Sequence, residues 1–490
     1  MTSSTSPGAT RERSAYPLVG SHERFTWLLA AAVVGVYLLI VVGATTALTD
    51  AAAACRSWPG CGTGSVLPPT TGDLAIAWGH RVVALLVGAM VVATTIIGWL
   101  GATRRRVRAG LAVATGLYAV QVGLGAVTAT TAGIGALSTL HLLFGTIVFG
   151  ALVLALAWTL EADTATPEDR SASDATEQAT PVDDAADEVP TPEVPDGVLG
   201  RARVTAFAYF RLMKPRLMWL LCLVASAGMA LAAEPATSEL TVRTILLTLG
   251  GGVLAIGASG TFNHVLERDV DQKMARTSDR PLATHLVPVR NALAFGGLLT
   301  VASLVLFVQI NLLAAALGLV AILFYSVIYT LVLKPNTVQN TVIGGAAGAL
   351  PAMIGWAAVT GRIGIPGLAL AGVIFLWTPA HFYNLALAYK DDYARGGFPM
   401  MPVVRGEAVT RKHILLYLAA TLLGASALSA VTDLGVLYAV TTVAFGAVFL
   451  WAVVRLHRER TEGAAFRAFH ASNAYLGALL LAIIVDAMAF

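Results

Sequence analysis

Along the 490 residues, apolar positions come in long unbroken runs, such as 25–48 and 312–333, parted by short charged stretches. A run of about 18 or more apolar residues is long enough to cross a bilayer as a helix. Four such runs, at about 27–48, 74–100, 109–129 and 136–160, precede an acidic stretch. Nine more follow it, near 217–233, 243–262, 293–309, 312–333, 340–360, 366–389, 413–431, 434–455 and 468–490. The pattern predicts an all-α polytopic membrane protein of about 13 transmembrane helices, a four-helix bundle followed by a nine-helix bundle. The first run has no small-residue cleavage site behind a short apolar core, so it reads as a retained helix.

Residues 161–200 are rich in Asp, Glu, Thr, Ala and Pro and offer no apolar face to bury. Such a stretch cannot offset the entropy of ordering and is expected to be a flexible, disordered linker. It divides the chain into a membrane domain at 1–160, the acidic linker at 161–200 and a second membrane domain at 201–490.

Composition sharpens this picture. Hydrophobic residues make up 57% and charged residues 12%, against about a quarter charged in an ordinary soluble domain. A soluble globule, a disordered protein and a nucleic-acid binder are excluded together, and the lipid bilayer is the first partner. With the acidic linker set aside, the membrane part carries about +14, a surplus that must face headgroups, an anionic substrate, or both. Arg104, Arg105, Arg106, Arg108, Lys214, Arg216, Lys334 and the basic clusters of 268–290, 390–412 and 455–467 fall on one side when the spans are counted off alternately. Excess Lys and Arg in short loops marks the cytoplasmic side of a cell membrane. The loops around 50–73, 132–135 and 234–243 are nearly free of bases and belong outside. Of three cysteines, Cys55 and Cys61 bracket one outside loop, where oxidation is permitted and the two can pair as a disulfide. Cys222 lies in an apolar run.

The chemistry concentrates at the cytoplasmic helix ends. After the sixth span the chain reads Asn263-His-Val-Leu-Glu267-Arg-Asp269-Val-Asp271. If the helix continues past the membrane surface, Asn263, Glu267 and Asp271 share one face. Stacked oxygen donors repel each other on an isolated helix but suit Mg²⁺, which would relieve the repulsion. A second acidic run after the tenth span, Lys390-Asp391-Asp392-Tyr393-Ala-Arg395, can clamp the same ligand from the other side. Mg²⁺ binds through a few carboxylates plus substrate phosphates, and Lys214, Arg216, Arg276, Arg280, Lys334 and Lys390 supply phosphate-pairing cations. The natural guest is a diphosphate, and the site faces the cytoplasm. Taken singly, each of these charges also fits an ordinary juxtamembrane role in topology and solubility.

The Asn263, Glu267, Asp271 triad resembles the first acidic motif of the UbiA-type intramembrane prenyltransferases, with Asp391 and Asp392 in place of the second. Further segments are similar to the heme O synthase (protoheme IX farnesyltransferase) branch: Lys214-Pro-Arg216, Arg276-Thr-Ser-Asp-Arg280-Pro-Leu, 334–345, Trp377-Thr-Pro-Ala-His381-Phe382, and Asp392-Tyr393 with Pro399-Met-Met-Pro402. The resemblance covers about 206–490. It implies a nine-helix bundle in which Mg²⁺ on the acidic motifs, drawn from Asn263, Glu267, Asp269, Asp271 and Asp392, holds farnesyl diphosphate while heme B enters from the membrane. A vinyl group of heme B would become a hydroxyethylfarnesyl group, giving heme O for terminal oxidases. Glu267 departs from the family's commoner Asp, so Asp269 also stands as a ligand. His381 either orients the heme or is satisfied by a neighbouring helix. A prenyltransferase for an aromatic quinone precursor and a heme-carrying module without transferase activity are the competing readings. Transporters place charges near the midplane, whereas here the acids sit at helix ends.

In the front half, His80 and His141 lie within apolar spans, and ionisable groups there are functional suspects. Facing each other across a bundle, they are candidates to ligate heme iron, or they are structural hydrogen-bonding histidines. The segment 48–62 with Cys55 and Cys61, His80-Arg81, Gln121 and His141 resembles one half of heme A synthase. That resemblance implies heme A synthase or oxidase assembly factors as partners. Ala77 stands where the family often has a glutamate, three residues before the first histidine, so the carboxylate that the resemblance implies for full heme A synthase activity is missing there.

Overall fold

The structure is a computed structural model that describes residues 17–48, 55, 57–61, 72–101, 103–131, 135–164, 197–233 and 240–489. Thirteen helices among them are long and apolar enough to cross a membrane. The first four are α1 (Pro17–Leu48), α2 (Gly72–Leu100), α3 (Arg105–Thr130) and α4 (Gly135–Thr164). The acidic linker falls almost wholly at 165–196, outside the described residues.

The chain then forms α5 (Val198–Leu212), a helix too short to span, which the hydropathy pattern does not announce. It lies along the face that carries the basic loops and buries Ala208 and Leu212 against Leu282, Val287 and Ala292. The next spans are α6 (Pro215–Ala232), α7 (Val242–Leu266) and, after the one-turn α8 (Arg268–Asp271), α9 (Val289–Val308). α10 (Leu312–Leu323) runs on as a π-helix over Phe324–Leu333. α11 (Asn340–Thr360) and α12 (Ile365–Ala388) follow. Short turns α13 (Lys390–Arg395) and α14 (Met401–Val404) lead to α15 (Glu407–Ala430), α16 (Val436–Glu459) and α17 (Glu462–Ala489).

Local signals set the ends. Thr241 caps α7 by accepting from the Thr244 N–H at 3.1 Å, and Asn311 caps α10 through Ala314 N–H at 2.8 Å. Pro215 and Pro366 sit in the first turns of α6 and α12, where the missing N–H costs nothing. Asp486 of α17, buried, accepts from the N–H groups of Gly435 and Tyr438 and so caps α16 from a neighbouring helix.

The two bundles are packed on each other. One apolar core runs from Leu29, Tyr37 and Leu156 of the front bundle into Leu418, Leu422 and Val453 of the second. Inside it Tyr37 donates to the Leu422 carbonyl at 3.0 Å. On the basic face Lys412 pairs with Glu161, Arg458 with Glu23, and Arg460 donates to the Asp163 carbonyl at 3.0 Å. α2 and α3 keep Leu85, Ile96, Trp99 and Val120 exposed, as a lipid-facing surface does.

Candidate active site

Four lengths of chain converge at the basic face: the start of α6, the end of α7 with the loop after it, the π-helix and α13. α7 ends at Leu266, and Glu267 bridges to the turn α8 without breaking helical spacing, since Glu267 N–H bonds to Asn263 O and Asp271 N–H to Glu267 O at 2.8 Å. Asn263, Glu267 and Asp271 are therefore neighbours on one face, all three buried.

Each is met by a cation. Lys214 Nζ donates to Asn263 Oδ1 and, at 3.1 Å, to the Tyr325 hydroxyl. Lys334 Nζ donates to Glu267 Oε1 at 2.5 Å. Arg280 reaches both carboxylate oxygens of Asp271 at 2.8 Å from one nitrogen and lies 3.9 Å from Glu267. Lys214 owes its place to a left-handed backbone (φ 55°) at the start of α6 and to Gly260, where a Cβ would come within 2.8 Å of the Leu212 carbonyl.

The π-helix places Lys334. A π-helix turns about 82° per residue against about 100° for an α-helix, so over a segment of this length its end is rotated about half a turn. That winding stacks Tyr325 on Tyr329, with centroids 5.5 Å apart, and sets Thr330 to receive Asn263 Nδ2 at 3.1 Å. It then delivers Lys334 onto Glu267.

The second acidic run closes the other side. Asp392, buried, accepts from the backbone N–H groups of Ala275 and Arg276 at 3.2 and 3.1 Å and pairs with Arg395. It thereby pins the loop after α8 onto α13. Arg276 lies over the rings of Tyr389 and Tyr393, at 4.6 and 5.2 Å.

Electrostatics follow from this crowding. Burial, with the Arg280 charge adding to it, pushes the Lys214 ammonium down to about 7. Burial would raise the Glu267 carboxyl, but Lys334, Lys214 and Arg280 together outweigh it and hold it below the usual range. For Asp271 burial wins over Arg280, and its carboxyl is raised.

Other anticipated residues sit apart from this cluster. Asp269 is 77% exposed and pairs with Arg268. Arg216 is exposed at the start of α6. Asp391 and Lys390 line a separate polar cavity with Glu407 and Arg460, and Lys390 pairs with Glu407 at 3.3 Å. His381 is buried between α12 and α17, its Nδ1 2.7 Å from Ser472 Oγ and its ring stacked between Trp377 and Phe469 at 4.3 Å from each.

The cluster opens onto an apolar crevice between α6, α7, α10 and α11. Lys214 and Tyr325 line its polar end, and Leu221, Ile256, Pro351 and Ile354 line its walls. The oxygen donors suit Mg²⁺. Among the described residues no group of three or more His, Cys, Asp and Glu is placed to hold a metal alone. Two buried carboxylates and an amide match an ion that completes its shell with substrate phosphates.

The front bundle holds a second polar group of residues. Cys55 and Cys61 form a disulfide, and Arg81 gathers the loop between them by donating to the carbonyls of Cys55, Ser57, Pro59 and Gly60 at 2.7–3.1 Å. Next to Arg81, His80 packs on Gly43 of α1, and His141 on Gly125 of α3. Both histidines bury an Nδ1 that meets no hydrogen-bond partner, and Gln121 Nε2 donates to the His141 carbonyl at 2.6 Å.

Residues 220–477 match the model of the UbiA prenyltransferase family, and residues 25–181 that of the cytochrome oxidase assembly protein family. The chain is 64% identical over 466 residues to a protoheme IX farnesyltransferase of Haloarcula marismortui, covering 95% of this chain and 98% of that one. The chain belongs to the UbiA prenyltransferase family. A protoheme IX farnesyltransferase of Saccharopolyspora erythraea is 45% identical over 302 residues, 61% of this chain and 93% of its own. A solved digeranylgeranylglyceryl phosphate synthase shares the fold at TM-score 0.50 and 16% identity, over 59% of this chain and all of that one.

In this UbiA prenyltransferase, sequence spacing left out Tyr325, Tyr329 and Thr330, which reach the site only because of π-winding. The second acidic run includes Arg395, and its pairing with Asp392 follows from a spacing of three residues on a helix.

Proposed function

We propose that the chain transfers a farnesyl group from farnesyl diphosphate to a vinyl group of heme B, forming heme O. The observation that carries this is the junction of a cation-and-carboxylate cluster with an apolar crevice, in a chain so close to named protoheme IX farnesyltransferases.

Mg²⁺, held by Asn263, Glu267 and Asp271 with the diphosphate, would neutralise charge on the leaving group. Lys214, Lys334, Arg280 and Arg276 pair with the remaining diphosphate oxygens, exchanging the amide, carboxylates and rings they meet in the free site. Asp392 keeps the loop bearing Arg276 and Arg280 in place. As the C1–O bond breaks, the electron pair leaves with diphosphate and an allylic cation remains at the mouth of the crevice, where apolar walls exclude water. The heme vinyl carbon then bonds to C1. Water captures the resulting cation and releases a proton, giving the hydroxyethylfarnesyl group.

The reading extends to architecture and place. The expected division at 1–160, 161–200 and 201–490 shifts at its edges, because α4 runs on to Thr164 and α5 starts at Val198, and two domains are consistent with a relative that aligns over only 302 residues. The basic loops put the transferase site on the cytoplasmic side of the plasma membrane. The orphaned imidazole nitrogens of His80 and His141 fit a heme ligand pair in the front bundle, and its likeness to oxidase assembly proteins points to that machinery as partner.

The test is incubation of the purified protein in detergent with heme B, farnesyl diphosphate and Mg²⁺, beside Asp271→Ala, with porphyrin products read by mass. A hydroxyethylfarnesyl adduct that the variant does not form supports the assignment. Turnover of a quinone precursor with no heme adduct would overturn it and leave the superfamily alone.

A further inference from the structure

The crevice has a measurable depth along α7. Gly260 sits beside Lys214 at its polar end, and Gly252, Leu249 and Thr248 line it further in. At about 1.5 Å of rise per residue, Gly252 lies about 12 Å and Thr248 about 18 Å beyond Gly260. An isoprene unit adds four C–C bonds, about 5 Å when extended, so a fifteen-carbon chain needs about 15 Å and a twenty-carbon chain about 20 Å.

Two observations mark where the chain ends. Thr248 is buried, and its hydroxyl meets no hydrogen-bond partner. Thr261 on α7 itself and Thr300, Thr378, Thr421 and Thr442 on other spans each fold their hydroxyl back onto the carbonyl four residues earlier. Thr248, 1% exposed, fills the far end of the crevice with a packed side chain, which leaves no room there for a further isoprene unit.

Gly252 is the second. Glycine inside a helix is unfavourable unless something needs the space. At Gly251 and Gly257 the neighbours need it, since a Cβ would come within 2.9 Å of Phe307 and 2.8 Å of Met213. At Gly252 a Cβ would meet nothing within 4 Å, yet the residue faces the crevice at the depth of the third isoprene unit. The space beside it is open to a ligand and not filled by protein.

We propose that α7 sets isoprenoid length in this enzyme: Gly252 clears room for the third isoprene unit, and Thr248 with Leu249 stops a fourth. Gly252 is thus a specificity residue for the prenyl donor, touching the chain and not the reacting carbon. This rests on the transferase reading above, with the diphosphate at Lys214 and the chain in the crevice.

The experiment offers geranyl, farnesyl and geranylgeranyl diphosphates in turn with heme B and Mg²⁺, and reads prenylated porphyrins by mass. The wild type is expected to prefer farnesyl over geranylgeranyl. Gly252→Phe is expected to lower the farnesyl-to-geranyl ratio of kcat/KM tenfold or more while geranyl transfer persists. Gly297→Phe, at an equally open glycine of α9 that does not line the crevice, is expected to keep the wild-type ratios. Should Gly252→Phe transfer no chain at all, Leu249→Ala decides: a gain of geranylgeranyl over farnesyl transfer supports the ruler. Wild-type ratios in either crevice variant, or equal wild-type use of the two longer donors, overturn it while leaving the transferase intact. Absence of any prenyl transfer to heme by the wild type sinks the transferase reading on which the ruler stands.

Discussion

Lys334 Nζ lies 2.5 Å from Glu267 Oε1, and the two side chains are 12% and 7% exposed. A lysine from the end of a π-helix and a glutamate from the break after α7 thus neutralise each other out of water. Removing one partner of a buried pair strands the other charge, at a cost of about 3–5 kcal/mol, whereas removing both is far milder. Lys334→Met is therefore expected to melt well below the wild type in detergent, and Lys334→Met with Glu267→Gln to recover most of the loss. Both proteins lose transferase activity, because each lacks a group that handles the diphosphate. Additive melting losses in the double variant would contradict the pairing.

Asp391 and Asp392 are adjacent in sequence and face different surroundings. Asp392 holds two backbone N–H groups of the Ala275–Arg276 loop and the Arg395 guanidinium, while Asp391 is exposed at the separate polar cavity. Asp392→Ala frees the loop that presents Arg276 and Arg280, and a misplacement of about 1 Å in such a group costs about 100-fold. Steady-state transfer is expected to fall by about that factor in Asp392→Ala and to stay within about threefold in Asp391→Ala, since surface changes away from a site are near neutral.

How far these arrangements can be read from sequence differs residue by residue. Thirteen spans follow from apolar run length, because lipid demands about 20 apolar residues per crossing whatever the fold. Asn263, Glu267 and Asp271 are readable as one face because helical spacing survives the break at Glu267. Spacing says nothing about which acids turn inward once the helix ends, so Asp269 looks equivalent to Asp271 in sequence yet points to solvent beside Arg268. Tyr325, Thr330 and Lys334 share the site through π-winding, which the residue pattern of a ten-residue segment does not distinguish from an α-helix. The packing of α1 and α4 on α15 and α16 is equally silent, since lipid-facing and helix-facing positions in a membrane span are apolar alike.

Removing the metal tests the exchange of partners on which the site depends. Asn263, Glu267 and Asp271 hold Lys214, Lys334 and Arg280 in the free site, so Mg²⁺ alone must displace cations with nothing to receive them. With a diphosphate present, the cations gain a new partner. Mg²⁺ without farnesyl diphosphate is expected to leave the melting temperature almost unchanged. The two together, at about 100 times their joint dissociation constant, are expected to stabilise the fold by about 2.7 kcal/mol. EDTA abolishes both that shift and turnover. A full shift from Mg²⁺ alone would point to a resident metal centre and not to one completed by substrate.

The front bundle is held to the transferase by more than its linker. Tyr37 donates to the Leu422 carbonyl within a shared apolar core, and Lys412–Glu161 and Arg458–Glu23 pair on the basic face. Ion pairs that water still reaches, as it does these partly exposed ones, contribute about 0–1 kcal/mol each and are screened by salt. Packing inside the bilayer is not screened. If the linker were the only connection, cutting it would release two particles. A protease site placed near residue 180 and cut in detergent is instead expected to leave both halves in one peak on size exclusion, at low salt and at 2 M KCl alike. Tyr37→Phe alone is expected to keep them together, because it removes one hydrogen bond of about 1 kcal/mol. Substituting Leu422 by Arg, which puts a charge into the shared core, is expected to separate the cut halves. Co-elution that fails in high salt would assign the contact to the ion pairs on the basic face and not to the core around Tyr37.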